Sequence, residues 1–518
     1  MSTTSPRLTA DLPTVLAVGL VVLLMLALNV VPMANNDLWI LMKVGELIVD
    51  THHIPETLLF PFTAIRDNHF NAHEWLPSVV FHLFDRFWGL DSLMWIMGVF
   101  ALAQSTLCLL LARRQSGSLG LGLLLATLAM ANANYRFVMR PELFAFLYLV
   151  GLLLVLDRHR QTRRWTTLLW TIPIAILWAN SHGSFLLGPG IAGIFALGEA
   201  WTAAAAARGP ARERASAGLA AGLPYAVAML AMIAACAINP AGWSLLAFPF
   251  QLQNSALVKL IVKEWQPTFS ADFMTERAFK LFILLFVATL AVAVRLRRHL
   301  RATDVLLLLC FSVLALDRSR HIVWFGFVAM SVCARAFGHV RLERRTEIQV
   351  RSATAIVAFA GFCACMAFGN VVGSHIYRVA SHNFSDGFVH ELADPAVKGN
   401  VLNSYELGGE LIYRAWPRLK PSIDSRIDSY GDDYMRFSLA LFQDEALLDQ
   451  FLDGNRVDYM LLLWRDLRES RVYDMPAIRA KWHVRLTNGD MTLLERRVPL
   501  APSLSASAAA ANSPKVTP

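Results

Sequence analysis

The chain has 518 residues, is 56% hydrophobic and only 17% charged, and has a mean hydropathy of +0.45. Soluble chains carry more charge, so a set of soluble domains is excluded, and the repeated long apolar runs are those of a polytopic membrane protein. The net charge of +8 does not indicate a nucleic-acid partner, because the arginines sit in short clusters between apolar runs, as membrane topology requires.

The first apolar run, 13–33, is longer than the h-region of a cleaved signal, about 7–15 residues. It reads as an uncleaved signal anchor. Further runs at 90–112, 117–133, 142–156, 165–181, 184–204, 216–237, 278–294, 303–316, 321–337 and 353–373 bring the expected total to about eleven transmembrane helices. Segment 76–88 fits either an interfacial helix or part of a span. "ARRQ", "DRHRQTRRW", "ARGPARERAS", "RLRRHLR" and "HVRLERRTEIQVR" fall on alternate loops and predict the cytoplasmic side. Loops 34–89, 134–141, 182–183, 238–277 and 317–320 then face outward. The N-terminus is expected inside and everything after about residue 373 outside. Cys108, Cys236, Cys310, Cys333, Cys363 and Cys365 all lie in apolar runs and read as small buried hydrophobes.

Residues 374–496 change character. "NVLNSYELGGELIYRAW" reads as strand, glycine-containing turn and helix. "LKPSIDSRIDSYGDD" reads as strand then loop. "DEALLDQFLDGNR" is helical, "VDYMLLLW" a buried strand, and "WHVRLTNGDMTLLERR" a hairpin turning at Asn488-Gly489. Strands alternating with helices predict a small α/β domain. The expected organisation is therefore a helical membrane domain over 1–373 that includes the first outer loop, an extracytoplasmic α/β domain over 374–496, and a disordered tail over 497–518.

Ionisable residues at membrane depth carry a functional prior, and here they share the outward side. They are Asp37, His73 and Glu74, then Arg136, Arg140 and Glu142, then Asn180 and His182, then Arg318, Arg320 and His321. Carboxylates can take a proton, and Arg and His can hold an anion, so the set suits attack by a hydroxyl with departure of a phosphate. Plainer readings stand beside these. Asp37 suits an N-cap and Glu74 a helix start. Arg140 suits an interfacial snorkel, His182 a tight helix–helix turn, and Arg318 and Arg320 boundary residues beside Asp317. In the tail, Asp424 and Arg426 follow a strand, where α/β sheets bind ligands; they also suit a salt-bridged loop with Asp428.

An acid just after the first span, a long first outer loop, many spans and a C-terminal extracytoplasmic domain together resemble the GT-C class of integral-membrane glycosyltransferases. "NDLWILMKVGELIVDTHHIPETLLFPFT", "HEWLPSVVFHLF", "RPELFAF", "WANSHGSFLLG", "NPAGW" and "SIDSRIDSYGDDY" look like a bacterial group of GT-C-like proteins. The resemblance covers most of the chain. It implies a polyprenyl-phosphate-linked sugar donor, hexosyl or pentosyl transfer, and a glycan, lipid or protein acceptor at the outer face of the bacterial inner membrane. It implies a catalytic acid in the first outer loop, where Asp37 matches by position. Many members of the class carry paired acids there, whereas this chain has Asn35-Asn36-Asp37, with Glu74 as the second acid at a membrane edge. No cofactor is expected; a divalent cation, which wants several oxygen ligands, is possible but has no paired-acid motif to support it. The site set is then Asp37 and Glu74 as catalytic acids, with His73, Arg140, Glu142, Asn180, His182, Arg318, Arg320, Asp424 and Arg426 toward substrate. A transporter or flippase of a lipid-linked or anionic substrate, and a non-catalytic assembly protein of envelope glycan synthesis, are the alternatives.

Overall fold

In a computed structural model of the protein, we describe residues 36–90, 92–254, 265–344, 384–463 and 471–497. The spans expected at 13–33 and 353–373, Cys363, Cys365 and nearly all of the expected tail lie outside the described residues. The chain divides into two compact units. One comprises 1–33, 92–249 and 262–378; the other comprises 34–91, 250–261 and 379–518.

The second unit begins with α1 (Asn36–Thr51) and α2 (Trp75–Trp88). Helix α2 is amphipathic and only 14 residues long, too short for a span. The two helices cross closely because Gly45 has no side chain: a Cβ there would stand 2.1 Å from the Ser78 carbonyl oxygen and 2.8 Å from the His82 Cβ.

The first unit is helical. Its main elements are α3 (Ser92–Ser116), α4 (Leu119–Ala133), α5 (Glu142–Thr162), α6 (Trp165–Leu168), α7 (Thr171–Ala179), α8 (Leu187–Ala206), α9 (Ala211–Cys236), α10 (Arg277–Arg295), α11 (Ala302–Asp317) and α12 (Ile322–Arg344). Every apolar run expected inside the described residues falls on a helix. The run at 165–181 is broken between α6 and α7. Among the described residues, four segments are long and apolar enough to cross a membrane, namely Ile96–Ser116, Ala211–Cys236, Arg277–Arg295 and Ser319–Val340. Their outer faces are apolar as well. Leu219, Leu223, Val227 and Leu230 of α9 are exposed, and so are Leu284, Val287, Leu290 and Val294 of α10. Such continuous apolar surface belongs against lipid rather than water. Cys310 departs from the burial expected of the cysteines: it is exposed on α11 among Val305, Leu309 and Val313, whereas Cys108, Cys236 and Cys333 are buried.

Small residues bring the helices together. Gly218 and Gly222 lie one turn apart on α9 and meet the backbone carbonyls of Ala200 and Ala196 on α8; an added Cβ would come within 3.0 and 2.7 Å of those oxygens. Lipid chains are as apolar as leucine, so close backbone packing rather than hydrophobic burial favours such a pair. At one end of this unit the helices share buried charges. Glu199 of α8 accepts from Arg301 at 3.0 Å and from Thr303 at 2.9 Å, and Arg160 of α5 pairs with Asp157 and lies 3.6 Å from Glu199. Asp304 of α11 is fully buried and accepts from Arg335 of α12 at 2.7 Å. Removing one partner of such a pair strands the other charge, at a cost of about 3–5 kcal/mol. Asp304→Ala is therefore expected to lower the thermal unfolding midpoint of the detergent-solubilised chain markedly, and an unchanged midpoint in a fluorescence melt would refute this role.

The second unit resumes with α13 (Asp386–Ala393), α14 (Gly408–Ala415), α15 (Asp432–Ala440), α16 (Glu445–Gly454) and α17 (Pro476–Lys481). They accompany five strands, β1 (Gly399–Asn403), β2 (Leu419–Pro421), β3 (Val457–Leu463), β4 (Trp482–Thr487) and β5 (Met491–Arg496). The sheet order is β2-β1-β3-β5-β4. Strands β2, β1 and β3 are parallel, and β5 and β4 add antiparallel. Each predicted strand and helix of this part is present, and the hairpin turns at Asn488-Gly489, where Gly489 has φ +84°. Central β3 is apolar on both faces. Tyr459, Leu461 and Leu463 join Leu411 and Leu419 on one side, while Met460 and Leu462 join Leu448 and Trp482 on the other. Full burial of such side chains contributes about 1.5–3 kcal/mol each.

The glycines of "ELGGEL" serve packing, not a turn. They open α14, where a Cβ on Gly408 would stand 2.1 Å from the Ile423 carbonyl oxygen and one on Gly409 would stand 2.5 Å from that of Asn36. Helix α1 thus lies directly on α14, with Ile40, Val44 and Phe60 around Ile412.

Candidate active site

The first candidate cluster is in the second unit. Gly45 meets Ser78 and His82, and Arg86 donates to Asp50 at 3.1 Å. That register makes α1 and α2 parallel, so Asp37 and Glu74 stand at the same end of the pair. Helix α14 joins them in the same sense: Gly409 meets Asn36, Tyr413 packs on Trp39 at 5.1 Å between ring centroids, and Lys43 stands 5.7 Å over Trp416.

Asp37 lies in the first turn of α1 and is half-buried. Glu74 occupies the N-cap position of α2, yet its side chain makes no capping bond. It faces His73 instead, with Nε2 to Oε1 at 3.7 Å, while His73 Nδ1 is 3.1 Å from the Asn71 carbonyl. That carbonyl can only accept, so Nδ1 carries a proton toward it, and Nε2 is turned toward the carboxylate. A carboxylate at such a helix end is chemically able to take a proton.

Deeper in the pair, His82 is buried and its Nε2 has no partner among the described residues. Burial pushes its pKa below the ordinary value, against the attraction of Glu46, Asp50 and Asp85. Between that lowered value and about 6.5, the unfolded chain binds the extra proton. Stability from this packing is thus fully present above about pH 6.5 and falls as the pH drops below it. We expect α1 and α2 amides to exchange faster at pH 5.5 than at pH 7.5, after correction for intrinsic rates, and His82→Asn to flatten that difference. Equal protection in the unaltered chain at both pH values would contradict it.

Asp424 and Arg426 lie at the carboxyl end of β2, as expected. Asp424 is fully buried and accepts from the backbone N–H of Arg426 at 2.9 Å, from its Nε at 3.0 Å and from its Nη2 at 2.6 Å. The same Nη2 donates to the Leu58 carbonyl at 2.8 Å, and the guanidinium lies 4.7 Å from the rings of both Phe60 and Phe70. The loop between α1 and α2 thus fills the end of the sheet where a ligand was anticipated. Nearby Tyr434 donates to the Ser422 carbonyl at 2.8 Å, and burial pushes its pKa up to about 12. The pairing of Tyr413 with Asp85 at 2.6 Å, which ties α14 to α2, carried no signal in the sequence.

The second cluster is in the first unit and gathers the loops expected to face outward. Glu142 opens α5 almost fully buried and is held by Arg136 through Nε at 2.9 Å and through Nη2. The charge of Arg320 also acts on it. Tyr135 donates to the Ser319 carbonyl, and Asn132 to that of Ile322 at 2.8 Å. Arg320 lies 4.5 Å over the Trp265 ring. Arg318 donates to the Trp265 carbonyl at 2.8 Å and pairs with Asp317 at 3.2 Å. Arg140 is half-buried just before Pro141.

His182 is fixed by a relay. Trp178 Nε1 donates to Ser184 Oγ at 3.0 Å, and Ser184 offers its hydroxyl at 2.8 Å and its backbone N–H at 3.2 Å to His182 Nδ1. Nδ1 is therefore the acceptor, and Nε2 of the neutral ring carries the proton. Asn180 donates to the carbonyls of Ile176 and Ile238, both at 2.7 Å, and accepts from Asn239 at 3.0 Å. This seats the "INPAGW" corner against α7. Asn239 was legible only as part of a turn. Among the described residues, no group of three or more His, Cys, Asp or Glu side chains is gathered to hold a metal ion.

No family model matches the sequence, and no curated protein matches it. Solved structures do share its fold. The chain is similar to the archaeal oligosaccharyltransferase AglB of Archaeoglobus fulgidus in complex with an inhibitory peptide and a dolichol-phosphate. Identity is 12% and the TM-score 0.57, over 95% of this chain and 76% of that one. The A. fulgidus oligosaccharyltransferase tethered to an acceptor peptide containing the NVT sequon matches at 14% identity and TM-score 0.56, over 86% of this chain and 69% of that one. Its apo form matches at TM-score 0.54 and 12% identity, over the same shares of the two chains. The protein is thus a membrane protein with a GT-C-like fold, a helical part and a small C-terminal sheet domain.

Proposed function

We propose that the protein is a glycosyltransferase that moves a sugar from a polyprenyl-phosphate-linked donor to an acceptor at the outer face of the bacterial inner membrane. The observation that supports this reading is the fold shared with AglB, together with the acids Asp37 and Glu74 at the starts of two helices that pack through Gly45. In this reading the chain crosses the membrane about eleven times, with the N-terminus cytoplasmic and the sheet domain outside.

The chemistry follows from the residue types. An acceptor hydroxyl or amide attacks the anomeric carbon of the donor sugar, and the bond from that carbon to the phosphate oxygen breaks. The electron pair leaves with the polyprenyl phosphate, and the acceptor proton passes to a carboxylate, for which Asp37 and Glu74 are the candidates. His73 orients Glu74. Within the helical unit taken by itself, Arg140, His182 Nε2–H, Arg318 and Arg320 are groups that can hold a phosphate, with Glu142 and Asn180 holding the corner in which they sit. Asp424 and Arg426 act by holding the loop that follows α1. The dolichol-phosphate and acceptor peptide of the archaeal enzyme support a lipid-linked donor and put a peptide among the glycan, lipid and protein acceptors.

A strain lacking the protein is expected to lose one glycoform of its envelope glycans, glycolipids or glycoproteins and to accumulate the lipid-linked sugar. The intact gene restores both. Unchanged glycan and glycolipid profiles would sink the reading.

A further inference from the structure

We propose that a basic pocket between α5 and α6, at the end of the helical unit opposite Glu142, binds the headgroup of an anionic phospholipid. The pocket is an open cleft of about 400 Å³ lined by Arg114, Arg158, Arg164, Thr166, Thr167 and Trp170, among others. It lies about 25 Å along α5 from Glu142, at 1.5 Å of rise per residue, so it is separate from the corner assigned to the donor.

Its three guanidinium groups keep their charge unneutralised. Arg114 bonds only the amide oxygen of Gln161, at 3.2 Å from Nε and 2.8 Å from Nη2. Arg158 and Arg164 pair with no carboxylate among the described residues. The buried acids described at this end of the unit are already engaged: Asp157 with Arg160, Glu199 with Arg160 and Arg301, and Asp304 with Arg335. Three clustered arginines facing threonine hydroxyls, with no acid among them, select an anion with several oxygen acceptors.

A phosphate group, free in solution or on a lipid, meets that description. The surroundings favour the lipid. Trp165, Leu169 and Trp170 are 52%, 61% and 65% exposed, beside the ends of the apolar helices α3 and α5. Tryptophan at such a position is the side chain of a membrane interface, and Leu154 and Val155 give the pocket an apolar wall along which acyl chains can lie. A soluble phosphate has no use for that wall. Basic pockets between helix ends are sites for anionic headgroups, at about 1 kcal/mol for each Lys or Arg near the surface.

The test uses the full-length chain in neutral detergent, read by native mass spectrometry and thermal unfolding. Phosphatidylglycerol, phosphatidylcholine and inorganic phosphate are added separately. Phosphatidylglycerol is expected to bind at least ~10-fold more tightly than phosphatidylcholine and to raise the unfolding midpoint, and the triple variant R114Q/R158Q/R164Q to lose that preference. The triple variant with lysines is expected to keep most of it. Should the glutamine triple fail to fold, the single variant R158Q, at an exposed position, is expected to lose ~5-fold. An equal shift from inorganic phosphate alone, equal binding of the two lipids, or full retention by a folded glutamine variant would each overturn the proposal.

Discussion

Asp37→Asn is expected to lower sugar transfer by ~100-fold or more, the usual contribution of a positioned general base, while the protein folds and inserts as before. The side chain is half-buried in the first turn of α1, and asparagine is isosteric with aspartate and well tolerated at a helix start. A large loss of activity would therefore report chemistry rather than folding. Glu74→Gln is expected to give a comparable loss. His73→Gln should give a smaller one, because His73 acts on Glu74 through its ring. The measurement is the quantity of transferred sugar in a deletion strain carrying each variant, normalised to the amount of protein in the membrane. Full restoration by Asp37→Asn would remove Asp37 from the mechanism and leave it as a helix-end residue.

The second large effect concerns Arg426. Arg426→Ala is expected to destabilise the second unit by about 3–5 kcal/mol, the cost of stranding a buried partner charge. It would leave Asp424 fully buried without its guanidinium, and it would release the Leu58 carbonyl and the faces of Phe60 and Phe70. Arg426→Lys should recover little, since an ammonium cannot reproduce a two-pronged contact that also stacks between two rings. Protease sensitivity and amide exchange of residues 57–70 would show it, and unaltered protection in a folded Arg426→Ala variant would contradict the clamp. The effect on transfer is then indirect, through the loop that links α1 to α2.

The sequence was most legible where one physical rule acted alone. Apolar runs at 117–133 and 216–237 have little alternative to helices, and they fall on α4 and α9. The strand pattern of "VDYMLLLW" and the Asn488-Gly489 turn survive in β3 and the β4–β5 hairpin. Arginine placement sorted the loops into two sets, and in the helical unit each set gathers with itself: Glu142 with His182 and Arg320, and Arg160 with Glu199 and Arg301.

What the sequence withheld were contacts between distant segments. A 3.6-residue period puts Lys43 on one face with Glu46 and Asp50, yet Lys43 is buried, paired with Glu46 and set over Trp416. That follows from α14 packing on α1, which a one-dimensional pattern cannot show. "ELGGEL" read as a turn because two glycines usually mark one; here they admit the Asn36 and Ile423 carbonyls. Glu74 and His73 stood in the sequence as neighbours, but the bond that orients the ring depends on the Asn71 carbonyl.

The most direct test of the central claim is transfer by the purified chain in proteoliposomes, supplied with a polyprenyl-phosphate donor labelled in its sugar and with pools of candidate acceptors. The glycosyltransferase account predicts that the label becomes covalently attached to an acceptor, that unsubstituted polyprenyl phosphate appears in equal amount, and that Asp37→Asn suppresses both. Label that crosses the bilayer still joined to its lipid, with no covalent product, would contradict the account and support a flippase.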